Sequence, residues 1–117
     1  MLPCDADMLD DTIAKIEGRI RSSDAVTGAH REELIKLLGQ LRGEIASLSK
    51  THEEQAQSIA SFAEVSAQEA TRAKINPATL QHSIGGLESS VGEFEKTHPH
   101  LVGIVSRIAS MLADMGI

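Results

Sequence analysis

Residues 31–48 read REELIKLLGQLRGEIASL, and the spacing of their large apolar side chains decides the fold class. Leu34, Leu38, Leu41, Ile45 and Leu48 recur at steps of four, three, four and three, which keeps them on one face of an α-helix. Ile35 and Leu37 widen that face beyond a narrow two-stranded seam, so this helix, expected over about 29–49, should touch more than one neighbour. The rhythm extends in both directions. Upstream, Leu9, Ile13, Ile16 and Ile20 predict a helix over about 5–21, with Asp11–Lys15 and Glu17–Arg21 as same-face ion pairs, and the turn formers of SSDAVTG close it. Downstream, Asn76-Pro77 marks a helix boundary, because proline disfavours helix at the residue before it and suits the first helical position. Leu80, Ile84, Leu87, Val91 and Phe94 then predict a helix over 77–96, and Leu101, Val105, Ile108, Leu112 and Met115 one over 99–115.

Between these segments the frame from Leu48 lands on His52 and Gln55 before it meets Ile59 and Phe62. Two readings are open. A break is favoured by Thr51 with Glu54 three residues on, the spacing of a capping box. Continuity is favoured by the absence of Gly and Pro from Glu44 to Ile75, which would give one helix of ~70 Å at 1.5 Å per residue. With the break, the third helix is expected over 51–74. Ala56, Ala60, Ala63, Ala67 and Ala70 follow the same four-three steps, and because each methyl buries little area this helix is expected to be the most weakly held. No strand-like alternation occurs, so the class is all-α. The chain reads as a single domain, an amphipathic bundle of four to five helices open to completion by dimerisation with coiled-coil-like packing.

Composition narrows the function. At 117 residues, with 41% hydrophobic and 24% charged residues, the chain has the make-up of an ordinary globular domain and needs no metal or disulfide staple to fold. Its single cysteine, Cys4, forms no internal bridge, which fits a reducing compartment. MLPCDADMLDD carries acids where a secretory leader needs a basic start and an apolar run, so a cytoplasmic location is expected. Seventeen acids against eleven bases give a net charge of −6, the wrong sign for a phosphate backbone. There is no Trp or Tyr, and Phe62 and Phe94 are the only phenyl rings, so base-stacking faces are scarce as well. No nucleic-acid partner is expected. The acids at the front, Asp5, Asp7, Asp10, Asp11 and Glu17, read as dipole complements of a first helical turn before they read as a site for a basic partner.

Few residues suggest chemistry. His98 and His100, in EKTHPHL, form the only close histidine pair and are the candidate metal ligands, with Glu95 as a neighbouring carboxylate. A zinc or iron site needs a third ligand at defined distance, and no HExxH or Cys/His spacing supplies one. Exposed residues at a helix start are the plainer reading. His52 reads as a helix end, or as a polar register pin in an apolar frame. Cys4 has acids around it, which raise rather than lower a thiol pKa. QHSIGGLESS, residues 81–90, lacks the lysine and the preceding strand of a phosphate loop, so no cofactor is called for. Gly85 and Gly86 inside a helix mean either a tolerated weak spot or a close contact. Gly39 and Gly43 have the spacing that permits a close helix crossing. The last helix is the most apolar, yet its polar face holds only Arg107 where surface-binding helices carry several lysines, so it is expected to pack in the core and not to insert stably into a membrane.

The C-terminal string FEKTHPHLVGIVSRIASMLADMGI, residues 94–117, resembles the end of a small bacterial family known only as domain of unknown function 4404. The pattern that matches is Phe94-Glu95, His98-Pro99, Leu101, the apolar repeat and Met115-Gly116-Ile117; REELIKLLGQLRGEI is similar to the family's leucine-rich first half. The resemblance implies a small helical bacterial protein and supplies no activity or site residue. Members of that family are shorter, so the alanine-rich segment reads as an insertion or an extended helix.

Two functions are therefore carried forward. The leading one is a non-enzymatic, homo-oligomeric helical protein that acts by binding another protein, with Leu34, Leu38, Leu41, Ile45, Leu80, Ile84, Leu87 and Val91 as the candidate helix seam and interface. The alternative is a small metal-binding enzyme or sensor built on His98, His100 and nearby carboxylates.

Overall fold

A computed structural model of the chain describes residues 4–24 and 26–115, with side chains from Leu9 onward. Its helices are α1 (Cys4–Ser22), α2 (Gly28–Leu48), α3 (Glu53–Ala70), α4 (Pro77–Ser90) and α5 (Pro99–Met115), with a 3-10 turn, Gly92–Phe94, between the last two. The all-α bundle expected from the apolar spacing is what the chain forms. α2 and α3 are separate helices. An unbroken rod through both would reach ~70 Å, whereas the longest dimension of the molecule is 39 Å and its radius of gyration, 13.4 Å, is that of a compact domain of this length.

The break is not made by the expected capping box. His52, not Thr51, is the N-cap of α3, and no side chain caps that end. Thr51 Oγ1 instead lies 2.7 Å from His52 Nδ1 and 3.4 Å from the carbonyl of Leu48. At the other boundary the local chemistry acts as expected: Asn76 Oδ1 accepts from the N–H groups of Ala78 and Thr79, at 3.0 and 3.3 Å, with Pro77 at the first helical position. α3 stops at Ala70, four residues short of its expected end, and α4 stops at Ser90 rather than near 96. The Gly92–Phe94 turn then redirects the chain and drives the Phe94 ring into the core, where it is 3% exposed.

α1 packs on α2 and α3, α2 on α5, α5 on α4, and α4 on α3, so the helices close a ring in the order α1, α2, α5, α4, α3. α3 also touches α2 and α5, which makes it the one helix among the described residues that meets all four others. The alanine helix, expected to be the most weakly held, thus occupies the centre of the bundle. Ala56, Ala60, Ala63, Ala67 and Ala70 are all buried, and methyl side chains let neighbouring backbones approach from several directions at once. Gly39 and Gly43 make no close crossing. A Cβ at either would meet open space, so the spacing that permits a tight contact is unused.

Candidate functional site

The eight seam residues lie inside the bundle. Leu34, Leu38, Leu41 and Ile45 on α2, and Leu80, Ile84, Leu87 and Val91 on or just after α4, are all buried against other helices of the same chain. The seams therefore close within one copy, and any contact with a second molecule has to use other side chains. The last helix buries Leu101, Ile104, Val105, Ile108 and Leu112 in the same core, and among the described residues no helix is long and apolar enough to cross a membrane.

The histidine pair separates. His98 directs its ring into an edge-to-face cluster, with centroids 5.3 Å from Phe94 and 6.3 Å from His52. His52 stacks edge-on to the same phenyl ring, at 5.3 Å. Each of these two histidines has Nδ1 close to the hydroxyl of the threonine before it, Thr51 at 2.7 Å and Thr97 at 2.9 Å. The arrangement pins the α2–α3 break against the start of α5. His100 is exposed and sits elsewhere, its Nδ1 3.1 Å from Glu44 Oε2 on α2. Among the described residues no three His, Cys, Asp or Glu side chains converge. The side chains of Cys4, Asp5 and Asp7, together with Gly116 and Ile117, lie outside the described residues.

Two arginines of α2 organise the first helix. Arg42 pairs with Asp10 at 3.1 Å and with Glu17 at 2.8 Å, reaching across the α1–α2 joint to two turns of α1. Arg31 donates from Nη2 to the carbonyls of Ser23 and Val26, both at 2.9 Å, and from Nε to that of Ile20 at 3.3 Å. Its guanidinium thus satisfies carbonyls that the end of α1 and the following loop would leave unpaired. On the opposite side of α2, Glu33 pairs with Arg107 and Glu44 meets His100, which fixes α5 antiparallel to α2.

On the outer surface, Phe62 and Val65 of α3 are the large hydrophobic residues left exposed among the described residues, at 40% and 44%, and their i, i+3 spacing puts them on one face. The Phe62 ring lies over Gly86 of α4 so closely that a Cβ there would stand 2.4 Å from its Cε1. Of the glycine pair in α4, Gly86 makes a close contact and Gly85 faces open space. An open cleft between α2 and α5 has a mixed-charge rim of Glu32, Glu33, Lys36, Gln40 and Arg107, with Ala29 and Leu37 as its apolar lining.

The family model described as "Domain of unknown function (DUF4404)" matches residues 31–117. The chain belongs to this family. No curated protein and no solved structure matches it. The DUF4404 match runs from α2 through α3, α4 and α5, so the alanine-rich α3 lies inside the matched span. The described residues before the match are α1, its loop and the first three residues of α2, and the first matched residue is Arg31, whose guanidinium holds the end of α1.

Sequence reading found the buried seams and missed the surface. Nothing in the spacing of Arg31, Arg42, Phe62 or Gly86 separates them from other helix-surface residues. The one available signal was the surplus of acids in α1, which bears on Arg42 alone.

Proposed function

We propose that the protein is a non-enzymatic, homo-oligomeric helical protein that works by protein–protein interaction, with the Phe62–Val65 face of α3 as its contact surface. The observation that carries this reading is the exposure of two large apolar side chains, one turn apart, on the helix that every other helix holds in place. Apolar side chains on a rigid element suit an interface, because little conformational freedom is lost when they are covered. The expected setting is the bacterial cytoplasm, with no cofactor and no nucleic acid involved. The metal-dependent alternative finds no support in the placement of His98 and His100, which turn to different partners.

Light scattering on a sizing column tests the proposal, with refractive index as the concentration signal because the chain has no Trp or Tyr. The expected result is a mass of at least twice 12.5 kDa for the native chain, which falls to the single-chain value when Phe62→Asp and Val65→Asp are combined. Both positions are exposed, so the double variant should keep its helical circular dichroism. A native chain that runs at the single mass overturns the homo-oligomer, and a double variant that stays assembled moves the interface elsewhere.

A further inference from the structure

The first helix differs from the other four. It lies outside the family match, which begins at Arg31, and it packs on α2 and α3 alone. Its apolar stripe, Leu9, Ile13, Ile16 and Ile20, is buried to 4% exposure or less. Its polar flank meets Arg42 through Asp10 and Glu17, and the Ile20 carbonyl in its last turn accepts from Arg31. The face of α2 and α3 that α1 covers is thus apolar and bordered by arginines, and α1 meets it with an apolar stripe and an acidic flank.

We propose that the face of α2 and α3 beneath α1 is a helix-docking groove that takes an acidic amphipathic helix from a partner protein, and that α1 is its tethered occupant. The ligand helix is defined by α1 itself: Leu or Ile at positions i, i+4, i+7 and i+11, and carboxylates at i+1 and i+8 placed for Arg42. This is the helix-in-groove mode of recognition, in which apolar anchors give affinity and rim charges give register and on-rate. The loop between Ser22 and Gly28 holds α1 at high effective concentration, so a free helix competes only where it is itself concentrated, as on a partner already bound nearby. The inference rests on the interaction role proposed above and uses the face that α1 covers rather than the exposed side chains of Phe62 and Val65.

The test uses the full chain with a protease recognition sequence inserted after the exposed Asp24. After cleavage, a fluorescein-labelled peptide of residues 4–24 is added and its anisotropy is followed. The expected result is exchange of the resident helix for the labelled one. A peptide carrying Asp10→Lys and Glu17→Lys should bind roughly tenfold more weakly, and Arg42→Glu in the chain should restore that peptide's binding. Exchange that occurs only as the helical signal of the whole chain collapses makes α1 an integral core element and overturns the proposal. Equal binding of the native and reversed peptides overturns the role of Arg42. An uncut native chain that dimerises, and that Arg42→Glu returns to monomer, assigns the groove to a second copy instead of a partner protein. Loss of assembly through Phe62→Asp and Val65→Asp alone bears only on the surface proposed earlier, so the two readings fail separately.

Discussion

α2 and α3 are consecutive helices of similar length that hold the bundle in opposite ways. α2 buries Leu34, Leu37, Leu38, Leu41, Ile45 and Leu48 and packs on three helices; α3 buries mainly alanines, with Ile59 as its largest fully buried side chain, and packs on four. Large side chains fill volume at a distance, so α2 stabilises through the area each residue removes from water. Small ones bring backbones together, so α3 stabilises through the number of neighbours it admits. Area per residue is therefore a poor guide to which helix is central.

Reciprocal substitutions break this comparison most directly. Leu41→Ala, at a side chain 0% exposed, leaves a cavity in the leucine seam and should lower stability by ~2–5 kcal/mol; Ala63→Leu, at 1% exposed, forces bulk into the crowded face of α3 and should cost ~1–3 kcal/mol. Urea unfolding followed by circular dichroism at 222 nm measures both, and a neutral Ala63→Leu would show that α3 has room to spare. A smaller effect of opposite sign is expected at Ser66, which is 0% exposed and whose Oγ has no partner. Ser66→Ala should raise stability by ~1 kcal/mol, because it removes an unpaired buried hydroxyl and improves helix propensity; a loss on the same measurement would mean that the hydroxyl has a use. The smallest effects separate the two α4 glycines. Gly85→Ala should stabilise by about 0.5–1 kcal/mol, whereas Gly86→Ala should lose that gain by pushing the Phe62 ring into solvent, visible as a lower melting temperature than Gly85→Ala.

The periodicity of the large apolar residues was enough to place α1, α2, α4 and α5 and their share of the core, because burial of large side chains repeats on the helical period and leaves a trace in one dimension; α3 showed the same period only in its alanines, and its separation from α2 stayed open. Asn76-Pro77 was legible for a related reason: its effect is local. Thr51-x-x-Glu54 had the same local form and failed, since the Thr51 hydroxyl is drawn to His52 and Leu48. The same-face pairs expected within α1 gave way to a contact between helices, with Glu17 held by Arg42. Arg31 was invisible because its partners are backbone carbonyls, and a carbonyl has no identity in the sequence. Gly86 could be flagged as one of two readings and not decided, because its meaning depends on where a ring twenty-four residues away comes to rest.

The order of helices around the ring has a consequence for the lifetime of the folded state. Three of the five joints connect consecutive helices, α1–α3 skips one, and α2–α5 skips two, with Glu33 and Arg107 separated by 74 positions. Local hairpins close early and at small entropic cost, while a joint of that span forms late. Interactions made after the transition state govern escape from the native well and leave entry into it unchanged. The α2–α5 joint acts as the clasp of the ring: its fastenings set how long the molecule stays shut, and the speed with which it assembles is decided elsewhere.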